Sequence, residues 1–247
     1  MPSDLYSVYA GLYDAAFDWD VLHQVEAIGA SSGLTKGRVL EPMCGSGRLC
    51  REFAKQGFAT VGIDSSEQML AIAAAHYDHA GVKGEWICAD VTDFRIDQAC
   101  DLAVCPINSL QHLASVAAMG SHLEAVSRSV YSNSSYWIQL DLWSGDSAGG
   151  AEEWEFEYLD ETVRCEWASS AQHDGFETHV LRFVFPGGRI IEDEQEMKLW
   201  RYDEWTAILD ASPFQLTGAY TGDDFTPIAL DSSLEGQHVI WQQLIKL

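Results

Sequence analysis

Basic side chains are scarce in this chain. Its 247 residues hold 14 lysines and arginines against 38 aspartates and glutamates, a formal net charge of −24. Such a surface repels phosphate backbones, which argues against nucleic acid as a partner. Cysteine pairing is missing too. Cys44, Cys50, Cys88, Cys100, Cys105 and Cys165 form no CxxC and keep no zinc-like spacing with histidine, so no metal site is expected. Several lie inside apolar runs, as reduced thiols of a cytoplasmic protein do. No apolar run approaches bilayer-spanning length. The start, Met1-Pro-Ser-Asp-Leu-Tyr6, has neither the basic nor the apolar region of a signal peptide. The expectation is a soluble, cytoplasmic chain without a membrane partner. Internal repeats, low-complexity tracts and long linkers are absent as well.

What is present is an apolar share of 47%, enough for one large α/β core or a core plus a small annex. Short apolar runs at 37–41, 58–64, 85–90, 101–106 and 134–142 alternate with segments of helical spacing such as Ser66–His76. That alternation builds a parallel sheet with helices on both faces. After Trp143 the pattern changes. Glu153-Trp-Glu-Phe-Glu-Tyr-Leu159 alternates acid and aromatic with period two, as a half-buried antiparallel strand does. Similar runs follow near 162–170, 176–185 and 189–200, with turn signals at Asp174-Gly175 and Pro186-Gly187-Gly188. A helix-like stretch at 203–210 and strands near 213–221 and 237–245 complete the pattern. Charge divides the same way: residues 141–200 carry 15 acids and 4 bases, against 16 and 8 over 1–140. The predicted organisation is a core of 1–142 and 201–247, with an antiparallel β annex of 143–200 inserted after the fifth strand.

The most informative stretch is Val39-Leu-Glu-Pro-Met-Cys-Gly-Ser-Gly47. A buried strand ends in an acid, turns through Gly45 and Gly47, and enters a helix-like segment. Glycines there let backbone N–H groups approach a ligand where a Cβ would collide. An acid before the turn suits a ligand with hydroxyls or an ammonium group more than a pyrophosphate. Glu41, Asp64 and Asp90 each end or follow a predicted parallel strand, where open α/β sheets bind ligands. Asp64 lies 19 residues beyond Gly45, about the distance at which a strand-ending acid meets ribose hydroxyls. Asp90 is placed to accept from an adenine amino group. Singly, each acid is as well explained as a helix cap or a solvated loop residue.

These residues resemble the class I S-adenosylmethionine-dependent methyltransferases. The resemblance is carried by Val39–Gly47, Val61-Gly-Ile-Asp-Ser-Ser-Glu-Gln-Met-Leu70, Ala89-Asp-Val91 and Asp101–Leu113, and runs over about 37–142. It implies a doubly wound, seven-stranded Rossmann-like sheet whose last strand is antiparallel. The annex is similar, more weakly, to the lid of small-molecule N-methyltransferases. By the same resemblance Glu41, Met43, Cys44, Gly45 and Gly47 hold the methionine part of S-adenosylmethionine. Asp64 and Ser65 meet the ribose, Met69 flanks the adenine, and Asp90 with Val91 meets its amino group. Ile107, Asn108 and Ser109 line the methyl-transfer pocket. Met43 departs from the small residue usual at its place.

Tyr6, Tyr9 and Tyr13, spaced by three and four, share a helical face. Similar methyltransferases cover the cofactor with a tyrosine-bearing segment, and aromatic faces attract a sulfonium cation. A stripe that only packs on the core has the same spacing. His112, after the fourth strand, is a candidate proton acceptor, with Asn108 and Tyr13 as further catalytic candidates. Arg48 is placed to meet a carboxylate of a ligand or to bridge to Glu52, and Asp141 to bind a substrate amine or merely precede the annex. His173 and His179 receive no role. The expected activity is methyl transfer to a small-molecule acceptor, amine nitrogen preferred, and a homodimer is compatible with it. A non-catalytic cofactor-binding scaffold or sensor is the alternative. A nicotinamide oxidoreductase fits less well, because Cys50 stands where the third glycine of its turn belongs.

Overall fold

The computed structural model describes residues 4–145, 149–222, 224–231 and 234–247. A 3-10 turn at Asp4–Tyr6 leads into α1 (Ala10–Phe17) and α2 (Leu22–Ser31). The alternating region follows as β1 (Arg38–Pro42), α3 (Arg48–Lys55), β2 (Ala59–Asp64), α4 (Glu67–Ala80), β3 (Glu85–Cys88), β4 (Cys100–Cys105), α5 (Val116–Ser129) and β5 (Val130–Gln139). The annex is β6 (Ala151–Tyr158), β7 (Glu161–His173), β8 (Phe176–Val184) and β9 (Ile190–Lys198). The chain then forms α6 (Tyr202–Asp210), β10 (Phe214–Thr221), β11 (Thr226–Pro227) and β12 (Ile240–Lys246).

The large sheet has the order β11-β10-β12-β5-β4-β1-β2-β3. β1 pairs in parallel with both β2 and β4, so the chain winds one way from β1 and then returns to its other side. Such a reversal opens a crevice at the carboxyl ends of the two strands. β12 runs antiparallel between β5 and β10. The two-residue β11 extends the expected seven strands to eight. One face of the sheet packs on α5 and α6 through Leu123, Val126, Trp205 and Ile208. The other packs on α2 and α3 through Val25, Ile28 and Phe53, against Trp137 and Trp241. Both faces are thus covered, which is why the inner strands read as continuous apolar runs rather than alternations.

Two strand ends differ from the sequence expectation. β3 stops at Cys88, and Asp90 turns back so that its Oδ1 accepts from the backbone N–H and hydroxyl of Thr92, at 2.8 and 2.7 Å. This Asx-type bond competes with strand continuation. β5 begins four residues earlier than its apolar pattern, at Val130, because a polar stretch through Asn133, with φ 67°, still pairs irregularly along β4.

The annex is an antiparallel meander, β6-β7-β8-β9. Its entry and exit meet: Trp143 bridges to Arg201, and the Trp143 N–H donates to the Trp200 carbonyl at 2.9 Å. Alternate positions Val163, Cys165, Leu181 and Phe183 turn inward and bury Leu5, Leu12 and Ala16 of the N-terminal segment. Residues 5–16, assigned to the core from sequence, therefore share an apolar cluster with the annex.

Candidate active site

The crevice above β1 and β4 is a cavity of about 930 Å³, at the upper end of the range for small-molecule sites. Its floor is the β1–α3 turn. Met43, Gly45 and Gly47 all take positive φ, at 57°, 52° and 70°. At Gly47 a Cβ would meet the Trp86 ring at 2.6 Å, so the turn lies pressed against β3 and only glycine fits. Asp64, at the end of β2, accepts from the Gly45 N–H through Oδ2 and from the Ser66 N–H through Oδ1, at 2.8 and 2.9 Å. One carboxylate thereby ties the turn to the start of α4, where Ser66 caps the helix by accepting from the Met69 N–H. Burial raises the Asp64 pKa, with the backbone donors at Ser66, Gly45 and Ser65 opposing.

Glu41 is almost wholly buried beneath the turn. It accepts from the Cys50 N–H at 2.8 Å. Burial pushes its pKa up to about 7, against the pull of that N–H and of Arg48. Cys44 lines the cavity beside it, its thiol raised by burial and by the charges of Asp64 and Glu41.

The loop after β4 supplies one wall. Ile107 and Asn108 take positive φ of 50° and 56°. That is costly for a β-branched residue and is held here by specific bonds. The Ile107 N–H donates to Gln139 at 2.9 Å, while Asn108 donates to the Asp141 carboxylate at 3.2 Å and accepts from its backbone N–H at 2.8 Å. Asp141 also accepts from the Ile240 N–H at 3.0 Å. Asn108 and Asp141 thus brace the wall. His112 follows, its pKa lowered chiefly by burial, so its neutral form prevails at neutral pH.

The roof is the N-terminal segment with the annex. Tyr6 and Tyr13 meet edge to face at 5.0 Å, and Tyr13 stacks on Phe17 at 4.4 Å. The Tyr6 hydroxyl donates to Gln195 of β9 at 3.1 Å and lies 3.4 Å from His112 Nε2. Burial pushes the Tyr13 pKa to about 12 and Tyr6 well above its usual value, so both are neutral phenols. Ser66 donates to the Tyr6 carbonyl, and the Trp154 N–H to the Ala16 carbonyl at 2.8 Å. Arg48 meets no carboxylate: its guanidinium donates to the Phe17 carbonyl and lies 5.0 Å from the Trp19 ring centre, while Glu52 pairs with Lys55.

Of the residues singled out in the sequence, Tyr13, Glu41, Met43, Cys44, Gly45, Asp64, Ser65, Ile107, Asn108 and His112 border the cavity. Tyr9, Gly47, Met69, Asp90 and Val91 do not border it. Gly47 and Met69 lie behind the turn, with Met69 and Val91 buried and Asp90 exposed. Gln68, next to Met69, faces the cavity instead. Trp154, Trp167 and His179, given no role from sequence, are brought to the same cavity by the annex. Their alternation marks one sheet face but not what that face covers. Among the described residues no group of three or more His, Cys, Asp or Glu side chains is arranged to hold a metal ion. No helix among them is long and apolar enough to cross a membrane.

Comparison with known proteins adds sequence and fold evidence. Residues 39–130 match the family model described as a methyltransferase domain. A putative methyltransferase of Geobacillus is 36% identical over 76 residues, covering 31% of each chain. A ubiquinone biosynthesis O-methyltransferase of Aromatoleum aromaticum is 29% identical over 113 residues, covering 43% of this chain and 48% of its own. This chain spans between about a third and a half of these relatives. Among solved structures, an S-adenosylmethionine-dependent methyltransferase from Clostridium acetobutylicum superposes with a TM-score of 0.76 at 17% identity, over 98% of both chains. A sugar N-methyltransferase from Streptoalloteichus gives 0.75 at 16% identity, over 100% of this chain and 95% of its own. An amino pentose methyltransferase from Micromonospora echinaspora, solved with S-adenosylmethionine bound, gives 0.71 at 18% identity, over 98% and 97%.

Proposed function

We propose that the chain methylates a small-molecule acceptor, amine nitrogen preferred, a reading supported by the match of residues 39–130 to a methyltransferase domain and by the fold shared with S-adenosylmethionine-dependent methyltransferases. The observation that carries this is Asp64, fixed by the Gly45 and Ser66 N–H groups at the rim of a cavity that Glu41 and the tyrosine pair also border. S-adenosylmethionine, when bound, supplies an electrophilic methyl group on a sulfonium. The residues present suit that group. Each Asp64 oxygen keeps a lone pair for a ribose hydroxyl, the β1–α3 turn carries no side chain at Gly45 where it borders the cavity, and the neutral faces of Tyr6 and Tyr13 suit a cation.

The remaining work falls to positioning. The braced Ile107–Asn108 wall and the aromatic roof hold the acceptor in line and keep water out, and alignment alone contributes about 7–11 kcal/mol. An amine sheds a proton before it attacks. His112, neutral through its burial and bordering the cavity, takes that proton. Tyr13, a neutral phenol with a pKa of about 12, serves as a hydrogen-bonding wall rather than as that base. The carboxylates around the cavity favour a cationic amine over a neutral hydroxyl. An oxygen acceptor is the second reading, supported by the O-methyltransferase relative.

Calorimetric titration with S-adenosylmethionine tests the cofactor half, with NADH and Asp64→Ala as controls. Binding that Asp64→Ala weakens by about 1.5–3 kcal/mol, the worth of a hydrogen bond to a charged group, supports the assignment. Preference for NADH sinks it. Product analysis with small amines and alcohols then decides between nitrogen and oxygen.

A further inference from the structure

The end of the cavity away from the β1–α3 turn is built by the annex. Glu152 and Trp154 of β6, Trp167 of β7 and His179 of β8 border it. The indoles are held in place: Trp154 is bonded to the Ala16 carbonyl, and Trp167 meets His179 edge-on at 5.1 Å. His179 is anchored in turn, its Nε2 2.7 Å from Glu177 Oε1, with side chains only 18% and 14% exposed. In the tautomer that donates Nε2–H to Glu177, Nδ1 keeps a lone pair able to accept an N–H.

Charge around the cavity is one-sided. Glu41, Asp64, Glu152, Glu194 and Glu196 border it, whereas Arg48 is the sole lysine or arginine among its described lining residues. Arg48 is already engaged by the Phe17 carbonyl and the Trp19 ring. Phosphate recognition relies on arginine forks, lysines or clustered N–H donors, and the annex end offers no lysine and no arginine beyond Arg48, held on the Phe17 carbonyl and the Trp19 ring. Flat aromatic faces beside carboxylates suit the opposite kind of ligand: a ring with a positive charge.

Resting on the methyl-transfer reading above, which gives the turn end of the cavity to the cofactor, we propose that the annex end selects a ring-bearing amine in its cationic form that carries no phosphate group. Trp154 and Trp167 pack against the ring, Glu152 balances the charge, and the Glu177-anchored His179 accepts a hydrogen bond from the ammonium group. A phosphate ester of the same amine meets Glu152, Glu194 and Glu196 of the annex, a like-charge opposition that costs it affinity.

The test is calorimetric titration of the whole chain, saturated with S-adenosylhomocysteine, with three probes: cyclohexylamine, glucosamine and glucosamine 6-phosphate. We expect one of the two unphosphorylated amines to bind, and the phosphate ester to bind at least about tenfold more weakly than the better of them. Trp167→Leu should weaken amine binding about tenfold with S-adenosylhomocysteine affinity unchanged, which also verifies that the variant is folded. Equal or tighter binding of the phosphate ester overturns the proposal, as does undiminished amine binding by folded Trp167→Leu. If neither amine binds at millimolar concentration while S-adenosylhomocysteine does, the acceptor class is wrong and the methyl-transfer reading stands. Failure of S-adenosylhomocysteine itself to bind overturns the reading beneath both.

Discussion

Two buried titratable side chains act on stability with opposite signs. Glu41 has its pKa raised by burial from 4.5 to about 7. Its protonated form therefore suits the fold, and the stability it contributes is complete below about pH 4.5 and lost as pH rises to about 7. His122 is fully buried between the Val91 carbonyl, 3.0 Å from Nδ1, and the Tyr136 hydroxyl, 2.8 Å from Nε2. Burial lowers its pKa from 6.5 to about 4. Its contribution is complete above about pH 6.5 and lost as pH falls to about 4. Each shift corresponds to about 3 kcal/mol, so in the ligand-free chain the two nearly offset. Chemical denaturation from pH 4 to 8 should give a shallow profile for the wild type. Glu41→Gln should leave a chain that weakens toward acid, and His122→Gln one that weakens toward alkali. Parallel profiles for all three proteins contradict this. At the same scale, His112→Asn should lower kcat about a hundredfold without altering cofactor affinity if His112 takes the amine proton. The variant's kcat should also lose the fall toward acid pH that protonation of His112 imposes.

At the scale of elements, the β1–α3 turn is the critical piece. Gly47 opens α3 from a left-handed conformation and lies against Trp86 of β3. An alanine there incurs about 1–2 kcal/mol for the backbone alone, and more for the indole that must move. Gly47→Ala should lower the melting temperature and weaken S-adenosylmethionine binding together, since the same turn presents the Gly45 N–H to Asp64. An unchanged melting temperature would mean that the turn is not so closely packed. The parallel strands and this turn were legible in the sequence because buried strands and glycine turns are local patterns. The exposed setting of Asp90 was not. It depends on a short competition between strand pairing and the Asp90–Thr92 bonds, which an apolar run ending at residue 90 does not reveal.

At the scale of the molecule, the cavity is closed by a unit made from distant parts of the chain. Leu12, 1% exposed, packs with Val163, Cys165 and Phe183. Leu12→Ala should therefore cost about 2–5 kcal/mol. Hydrogen exchange should then rise in 161–185 as well as in 10–17, while β1, β4 and β5 stay protected. If protection in β7 and β8 is unaffected, the N-terminal helix and the annex do not act as a unit. The long strip of acids in 141–200 also finds its meaning at this scale. Alternate positions of β6 and β8 send Glu153, Glu155 and Glu157 outward with Arg182, and turn Trp154 and His179 inward.

The sequence by itself determined the alternating parallel sheet, the glycine turn at its centre, Glu41 and Asp64 at its strand ends and the antiparallel annex. Each follows from short-range periodicity or from the conformations that glycine alone tolerates. Only the tertiary structure decided which acids border the cavity, that Arg48 holds the N-terminal segment rather than a carboxylate, and that His179 borders the cavity. Those outcomes depend on which sheet face meets which partner. Period-two alternation separates the two faces of a strand, but only packing against the N-terminal helix chooses the face that looks onto the cavity.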